Sequence, residues 1–287
     1  SLTVGALHRY LRENKIKVNG KKLPLSARLA AGDVVRLYLP GQPAQGDGPA
    51  YLAARPYFTP VYEDAQVLVA QKPAGLLVQD EAGAQADTLL NRARRYLYEK
   101  GELAANAPWL PQLCHRLDTG TSGLVILAKT PAALAQMTEL IRTRAVQKEY
   151  LCVTVGAPAR GFLVKNTKRG TVRVTAAAQR GAKEIITRYE MLCKSGALAL
   201  LRVQLVTGRT HQIRAHLASI GCPVLGDSKY GNTQANRAWH FKYQALCAYS
   251  LRFPAMEKES PCAGLSEKTL FAEEPWYAAQ IKNGTLG

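Results

Sequence analysis

Acidic residues are scarce in this chain: 21 Asp and Glu stand against 38 Lys and Arg, a formal net charge of +17 at pH 7. Such an excess opposes compactness through self-repulsion, so it points to a polyanionic partner, with nucleic acid ahead of an anionic membrane surface. Paired cysteines are missing too. The six that occur (Cys114, Cys152, Cys193, Cys222, Cys247, Cys262) contain no CxxC, which excludes zinc-ribbon and thioredoxin spacings and gives no disulfide framework. In a chain of 287 residues they read as reduced core thiols of a cytoplasmic protein. No apolar run approaches the ~18–20 residues of a membrane span, so no membrane partner is expected. The chain begins Ser1-Leu2-Thr3-Val4, with neither Met nor the apolar stretch of a secretory leader, as expected of a trimmed N-terminus.

Several catalytic signatures are also absent. There is no phosphate-loop lysine motif and no GxGxxG. Gly120-Thr121-Ser122-Gly123-Leu124 resembles a nucleophile elbow only superficially, because its second Gly falls one place early. His211 and His216 lie five apart, not at the i, i+4 spacing of a helical zinc site. No convincing second acid accompanies any of the candidate clusters, which argues against carboxylate-pair hydrolysis. No metal is expected at these residues.

What is present falls into two parts. Residues 1–40 form a small unit: Leu7, Tyr10 and Leu11 recur at helical spacing, and Lys15 to Lys22 reads as a basic strand entering an Asn-Gly turn. Val34 to Leu39 reads as a second strand. Residues 41–60 open with Gly41-Gln42-Pro43-Ala44-Gln45-Gly46-Asp47-Gly48-Pro49 and have linker composition. Residues 61–287 are strand-rich, with strands expected at 66–70, 124–128, 150–155, 185–192, 198–206 and 245–253. Helices are expected at 87–99 with Asp87 as N-cap, at 132–142 after the Thr130-Pro131 cap, and at 210–220 closed by Gly221. That order predicts an α+β fold: a mixed or mainly antiparallel sheet flanked by helices. The basic run 161–188 is either a solvated face or a phosphate-contacting hairpin, the latter favoured by its single acid, Glu184.

Three clusters carry complementary chemistry. His115-Arg116-Leu117-Asp118-Thr119-Gly120-Thr121-Ser122-Gly123 sets a carboxylate beside an arginine ahead of a strand; Lys148-Glu149-Tyr150 opens another strand with a phenol. Thr207 to His216 holds Arg209 at a helix N-terminus. Taken singly each has a bland reading. Asp118 could cap a turn, Tyr150 could be a core tyrosine, and Arg209 could pair with any surface acid.

Taken together, HRLDTGTSGLVILAKT (115–130), KEY (148–150) and GRTHQIRAHLASIGCPVLGDSKYG (208–231) resemble, in order, the signatures of RluA-type pseudouridine synthases. Lys72-Pro73-Ala74-Gly75 and the segment Ala182 to Tyr189 add to the likeness, which spans about Val61 to Phe253. Residues 1–40 are similar to the small RNA-binding module shared by a ribosomal small-subunit protein and tyrosyl-tRNA synthetase. The resemblance implies an RNA uridine isomerase of the pseudouridine synthase fold, using no cofactor. It implies Asp118 as catalytic carboxylate, Arg209 as its basic partner and Tyr150 as a ring stacking on the flipped uracil. Arg116 would fill the vacated stack or hold a neighbouring phosphate, with Lys148, Lys165, Lys168 and Arg169 as further RNA contacts. Ile213 or Leu225 would line an apolar wall, and His115 would support the loop. The implied substrate is large-subunit rRNA, with tRNA as the alternative, and the implied state is a monomer. A non-catalytic RNA-binding protein on the same scaffold would be expected to have lost Asp118, Tyr150 or Arg209.

Overall fold

Val67 to Ala70 is apolar at four successive positions and wholly inaccessible, the pattern of a strand covered on both faces. It begins the sheet on which everything else is built. The computed structural model describes residues 11, 16–20, 22, 30, 32–37, 49–80, 85–158, 163–164 and 185–287. The chain divides into two compact units, 1–48 with 80–85, and 49–79 with 86–287.

In the smaller unit, β1 (Ile16–Val18) pairs antiparallel with β2 (Val35–Leu37). Asn19 and Gly20 both have positive φ, as an Asn-Gly turn requires. The Asn19 side chain accepts the Val34 N–H at 2.9 Å and donates to Asp33 at 2.7 Å, fixing the turn against the second strand. The helix expected around Leu7 and Tyr10 lies outside the described residues.

The larger unit holds β3 (Pro60–Glu63), β4 (Val67–Lys72), α1 (Leu89–Glu99), β5 (Gln112–Leu113), β6 (Ser122–Ala128), α2 (Pro131–Arg142), β7 (Gln147–Val155), β8 (Leu163–Val164), β9 (Ile186–Ser195) and β10 (Leu198–Leu205). It continues through α3 (Gln212–Ser219), α4 (Thr233–Ala238), β11 (Leu246–Arg252), β12 (Thr269–Phe271) and α5 (Trp276–Lys282). The sheet runs β3-β4-β6-β11-β7-β10-β9-β8, with β5 on β6 and β12 on β11. Among these strands β6 and β11 pair in parallel; the other pairings are antiparallel. The sheet is therefore mixed and mainly antiparallel.

Strand alternation sorts the core onto two faces. Val67, Val69, Leu124 and Ile126 face Met137 of α2 and Ala278 and Ile281 of α5. Leu68, Ala70, Val125 and Leu127 face Leu89, Ala93 and Leu97 of α1. On that second face, farther along the sheet, Tyr150, Cys152, Ala199 and Leu201 pack under Ile213 and Leu217 of α3. Leu117 touches both of these latter clusters, which sets the segment around Asp118 between α1 and α3.

Thr130 caps α2 as expected, accepting the Ala133 N–H at 3.2 Å with Pro131 following. At α1 the cap is Thr88, not Asp87: Thr88 accepts from Asn91 N–H at 3.2 Å. Asp87 instead pairs through both oxygens with Arg92 at 2.7 and 2.8 Å, which holds its carboxyl at about 2. Residues 49–60, read as linker, carry Tyr51 into the core against α1, so the larger unit starts a dozen residues earlier than its composition suggests. Among the described residues no helix is long and apolar enough to cross a membrane.

Candidate active site

The segment from β5 to β6 is held at both ends by backbone. His115 Nε2 accepts the Ile126 N–H at 3.1 Å, and burial keeps the ring well below its ordinary pKa, so it is a neutral strut. Asp118 C=O closes a turn by accepting Thr121 N–H at 3.0 Å. Thr119 C=O accepts from Gly75 N–H at 2.8 Å and from Lys72 Nζ at 2.9 Å. Gly120 lies where a Cβ would come within 2.2 Å of the Gln244 side chain, so no other residue fits there without displacing it. Gln244 in turn donates to Thr121 Oγ1 at 3.0 Å.

The turn aims the Asp118 carboxylate into a cleft of about 1250 Å³. Its partner is Arg214, the third residue of α3: Arg214 Nη1 donates to Asp118 Oδ2 at 2.6 Å. The opposite edge of the same guanidinium grips Asp227, Nε at 2.7 Å and Nη2 at 2.9 Å. Asp227 is wholly buried and also accepts the Lys229 and Tyr230 N–H groups at 2.8 and 3.0 Å. A fork held on one edge presents its remaining N–H in a fixed direction, and that direction is Asp118. Burial works against the charge on Arg214, but the two carboxylates outweigh it and raise its pKa. Burial likewise works against Asp227, and Arg214 with the backbone donors overrides it, holding the carboxyl below its usual range.

Lys72 completes the floor. It is fully inaccessible, its ammonium satisfied by Pro73 and Thr119 carbonyls at 2.9 Å each. Burial brings it down to about 7, and the nearby Asp118 charge opposes that fall. Tyr150 lies on β7 with 7% exposure and lines the cleft; burial first, then Asp118, push its phenol above the ordinary range, so it stays protonated. His211 Nε2 stands 3.8 Å from Asp118 Oδ1, too far for a hydrogen bond, and desolvation lowers its pKa. Its Nδ1 faces Tyr230 Oη at 3.1 Å.

The structure places Arg209 differently from the expectation. It is exposed on the rim of the cleft; its backbone N–H donates to Gln212 Oε1 at 3.1 Å, and the guanidinium in contact with Asp118 is that of Arg214. The physical reason is local. Gln212 ties Thr207, Arg209 and β9 together through Thr207 Oγ1, Ile186 C=O and Thr187 Oγ1. His211 then turns through φ +55°, which starts the helix at Gln212 rather than Thr210. That hinge leaves Arg209 outside and carries Arg214 inside. Arg116 is exposed beside the cleft, and Lys148 lines it half-buried, brought to about 8 by burial. Lys165, Lys168 and Arg169 lie outside the described residues. Ile213 lines the cleft wall; Leu225 is packed in the core of the opposite face. Arg214, Asp227 and Gln244 were missed as functional side chains, although Arg214 and Asp227 stand in the QIR and GD of the quoted third motif.

Residues 66–219, just over half of the chain, match the family model described as RNA pseudouridylate synthase. A ribosomal large subunit pseudouridine synthase D of Pseudomonas aeruginosa is 38% identical over 239 residues, covering 79% of this chain and 71% of that protein. A ribosomal large subunit pseudouridine synthase C of Rickettsia bellii is 33% identical over 248 residues, covering 80% and 79%. Among solved structures, human RNA pseudouridylate synthase domain containing 4 is similar with a TM-score of 0.62 and 25% identity, over 79% of this chain and 92% of that one.

Proposed function

The chain belongs to the RNA pseudouridine synthase family, and from that premise we propose that Asp118 is the catalytic carboxylate of an isomerase acting on large-subunit ribosomal RNA. The reaction detaches uracil from its ribose at N1, rotates the base, joins C5 to the anomeric carbon and returns the C5 proton to solvent as N1 gains one. Nothing is added or removed, so no cofactor is required. Attack on the anomeric carbon, addition to the base and removal of the ribose 2′ proton all begin from an ionised carboxylate. The observation that carries the reading is the Asp118–Arg214–Asp227 chain, in which a guanidinium locked on one edge stabilises and orients the anion.

The remaining residues follow from their positions. Tyr150, protonated and lining the same cleft as Asp118, gives the extruded uracil a ring to stack on and a hydroxyl to donate or accept. Extrusion from a paired strand costs a few kcal/mol, which the rim must offset. Arg116, Arg209 and the half-buried Lys148 border the cleft and suit phosphate contacts around the flipped nucleotide. Arg209 thereby moves from a catalytic to an RNA-holding role. The +17 charge supports a long phosphate footprint, and the basic residues Lys165, Lys168 and Arg169 would extend it. Ribosomal RNA is favoured as substrate because the similar proteins of P. aeruginosa and R. bellii are named for the large subunit.

The test is tritium release from large-subunit rRNA transcribed with 5-tritiated UTP. Wild-type protein is expected to release tritium, and Asp118→Asn to retain RNA affinity while losing turnover by on the order of 10³–10⁴-fold. Normal turnover by Asp118→Asn would remove the catalytic assignment.

A further inference from the structure

A second cavity, of about 600 Å³, opens beside α5 and is lined by Phe241, Trp276, Tyr277 and Glu273 among others. It is not separate from the first. Lys242, Tyr243 and Gln244 line both, so a single three-residue stretch of chain borders the cleft around Asp118 and its neighbour alike. That stretch is tied to the catalytic turn: Gln244 bonds Thr121, and the Tyr243 ring lies against Gly75, where a Cβ would come within 2.6 Å.

Trp276 is the conspicuous residue here. It remains 59% exposed although its indole is stacked on Phe241, with centroids 5.1 Å apart and planes 25° from parallel. One face is thus fixed by Phe241 while much of the ring stays open to water, the arrangement of a stacking platform for a flat ligand. Tyr243 is 38% exposed, with Lys242 Nζ 5.3 Å from its centroid. Lys242 and Tyr243, which line both cavities, thus add a cation and a second aromatic surface to the lining that holds Trp276. The far edge is acidic, with Glu273 and Glu274, the latter paired with Lys282. Carboxylates exclude a phosphate from that edge and accept hydrogen bonds from exocyclic amino groups.

We propose that this cavity takes an unpaired nucleobase of the substrate RNA next to the target uridine, stacked on Trp276, with Lys242 on the phosphate joining the two nucleotides. The carboxylate edge selects an amino-bearing base, cytosine, adenine or guanine, over uracil. Displacing two adjacent nucleotides into neighbouring pockets replaces base stacking lost in the RNA with stacking on protein. The proposal rests on the pseudouridine synthase reading: without turnover by wild-type protein, that reading fails first, and the effect of Trp276 is then judged on RNA affinity alone.

The experiment compares Trp276→Ala, Trp276→Phe and Lys242→Ala with wild type in the tritium-release assay on the rRNA transcript, together with RNA titrations followed by tryptophan fluorescence. The expected result is a KM about tenfold higher for Trp276→Ala with kcat within twofold, near-complete rescue by Trp276→Phe, and loss of much of the RNA-induced quenching. Should the alanine variant melt early, Lys242→Ala, which alters an exposed side chain, is expected to show the same rise in KM. Unchanged KM and quenching in these variants would overturn the proposal. So would a concentration-dependent dimer, seen by sedimentation velocity, that Trp276→Ala dissolves, since the face would then belong to a second copy of the chain.

Discussion

The floor and the rim of the Asp118 cleft are both rich in cations, yet they are built on opposite principles. On the floor, Arg214 is 8% exposed and shared between two carboxylates, and Lys72 is sealed against two carbonyls. On the rim, Arg116, Arg209 and Lys242 are exposed. Buried charges hold a geometry because breaking one contact strands a charge in a poor solvent. Exposed charges are individually weak and replaceable, which suits a polyanion that must bind, shift and leave. The same residue type thus does two jobs, and only burial and partners tell them apart.

The sharpest way to break this comparison is to exchange the two arginines of the third motif. Arg214→Ala is expected to lower kcat by on the order of 10²–10³-fold, whereas Arg209→Ala changes kcat only a few-fold and raises KM. If single-turnover rates showed the reverse, the assignment of floor and rim would be inverted.

Next in size is stability. Asp227→Ala leaves a buried guanidinium with one partner, and urea unfolding should show a loss of about 3–5 kcal/mol. Asp227→Asn keeps the shape and one acceptor, so it should lose less stability while still lowering kcat; equal and negligible losses from both would mean the guanidinium needs no anchor.

The pH dependence is a smaller effect, and its sign is specific. Lys72 titrates at about 7 in the folded chain against 10.5 ordinarily, its depression caused by burial. Between those values the unfolded chain binds a proton that the folded chain lacks, so the Lys72 contribution to stability rises with pH through that window and is lowest below it. Unfolding free energies from urea titrations at pH 6 to 9 should climb by up to about 1 kcal/mol per pH unit in wild type, and less steeply in Lys72→Met. A parallel climb in both would assign the pH dependence elsewhere.

The smallest effect expected is on salt. Arg209→Ala should reduce the slope of log affinity against log salt by about one, as for one lost phosphate contact. Arg214→Ala should leave the slope unchanged, because its charge is already neutralised inside the protein.

Much of this was legible in the chain because it is written locally. Thr130-Pro131 announces a helix start, and the near-continuous apolar runs in 124–128 and 150–155 announce strands that the sheet covers on both faces. That Asp118 would lie in a cationic cleft was legible through its motif. The choice between Arg209 and Arg214 was not, because it turns on one left-handed residue, His211, and on a glutamine whose side-chain bonds reach back 25 and 26 residues. Lys72 was visible only as the first residue of the Lys72-Pro73-Ala74-Gly75 likeness; its ammonium is held by Thr119, 47 positions away, and no local pattern carries that. Likewise Asp87 looked like a cap by type, but a nearby pair of guanidinium donors outbid the helix N–H groups for its oxygens.

The parallel pairing of β6 with β11 has a consequence in time rather than in space. It joins Ser122 to Cys247 and Gly123 to Ala248, and Gln244, which packs over Gly120, comes from just before that distant strand. Contacts of such long sequence separation must close a large loop before they are rewarded, and they form late. During synthesis from the N-terminus, Asp118 leaves the ribosome well over a hundred residues before the strand that braces its turn. The nascent chain therefore carries the Asp118 turn unbraced until the segment from Gln244 to Ala248 has also emerged.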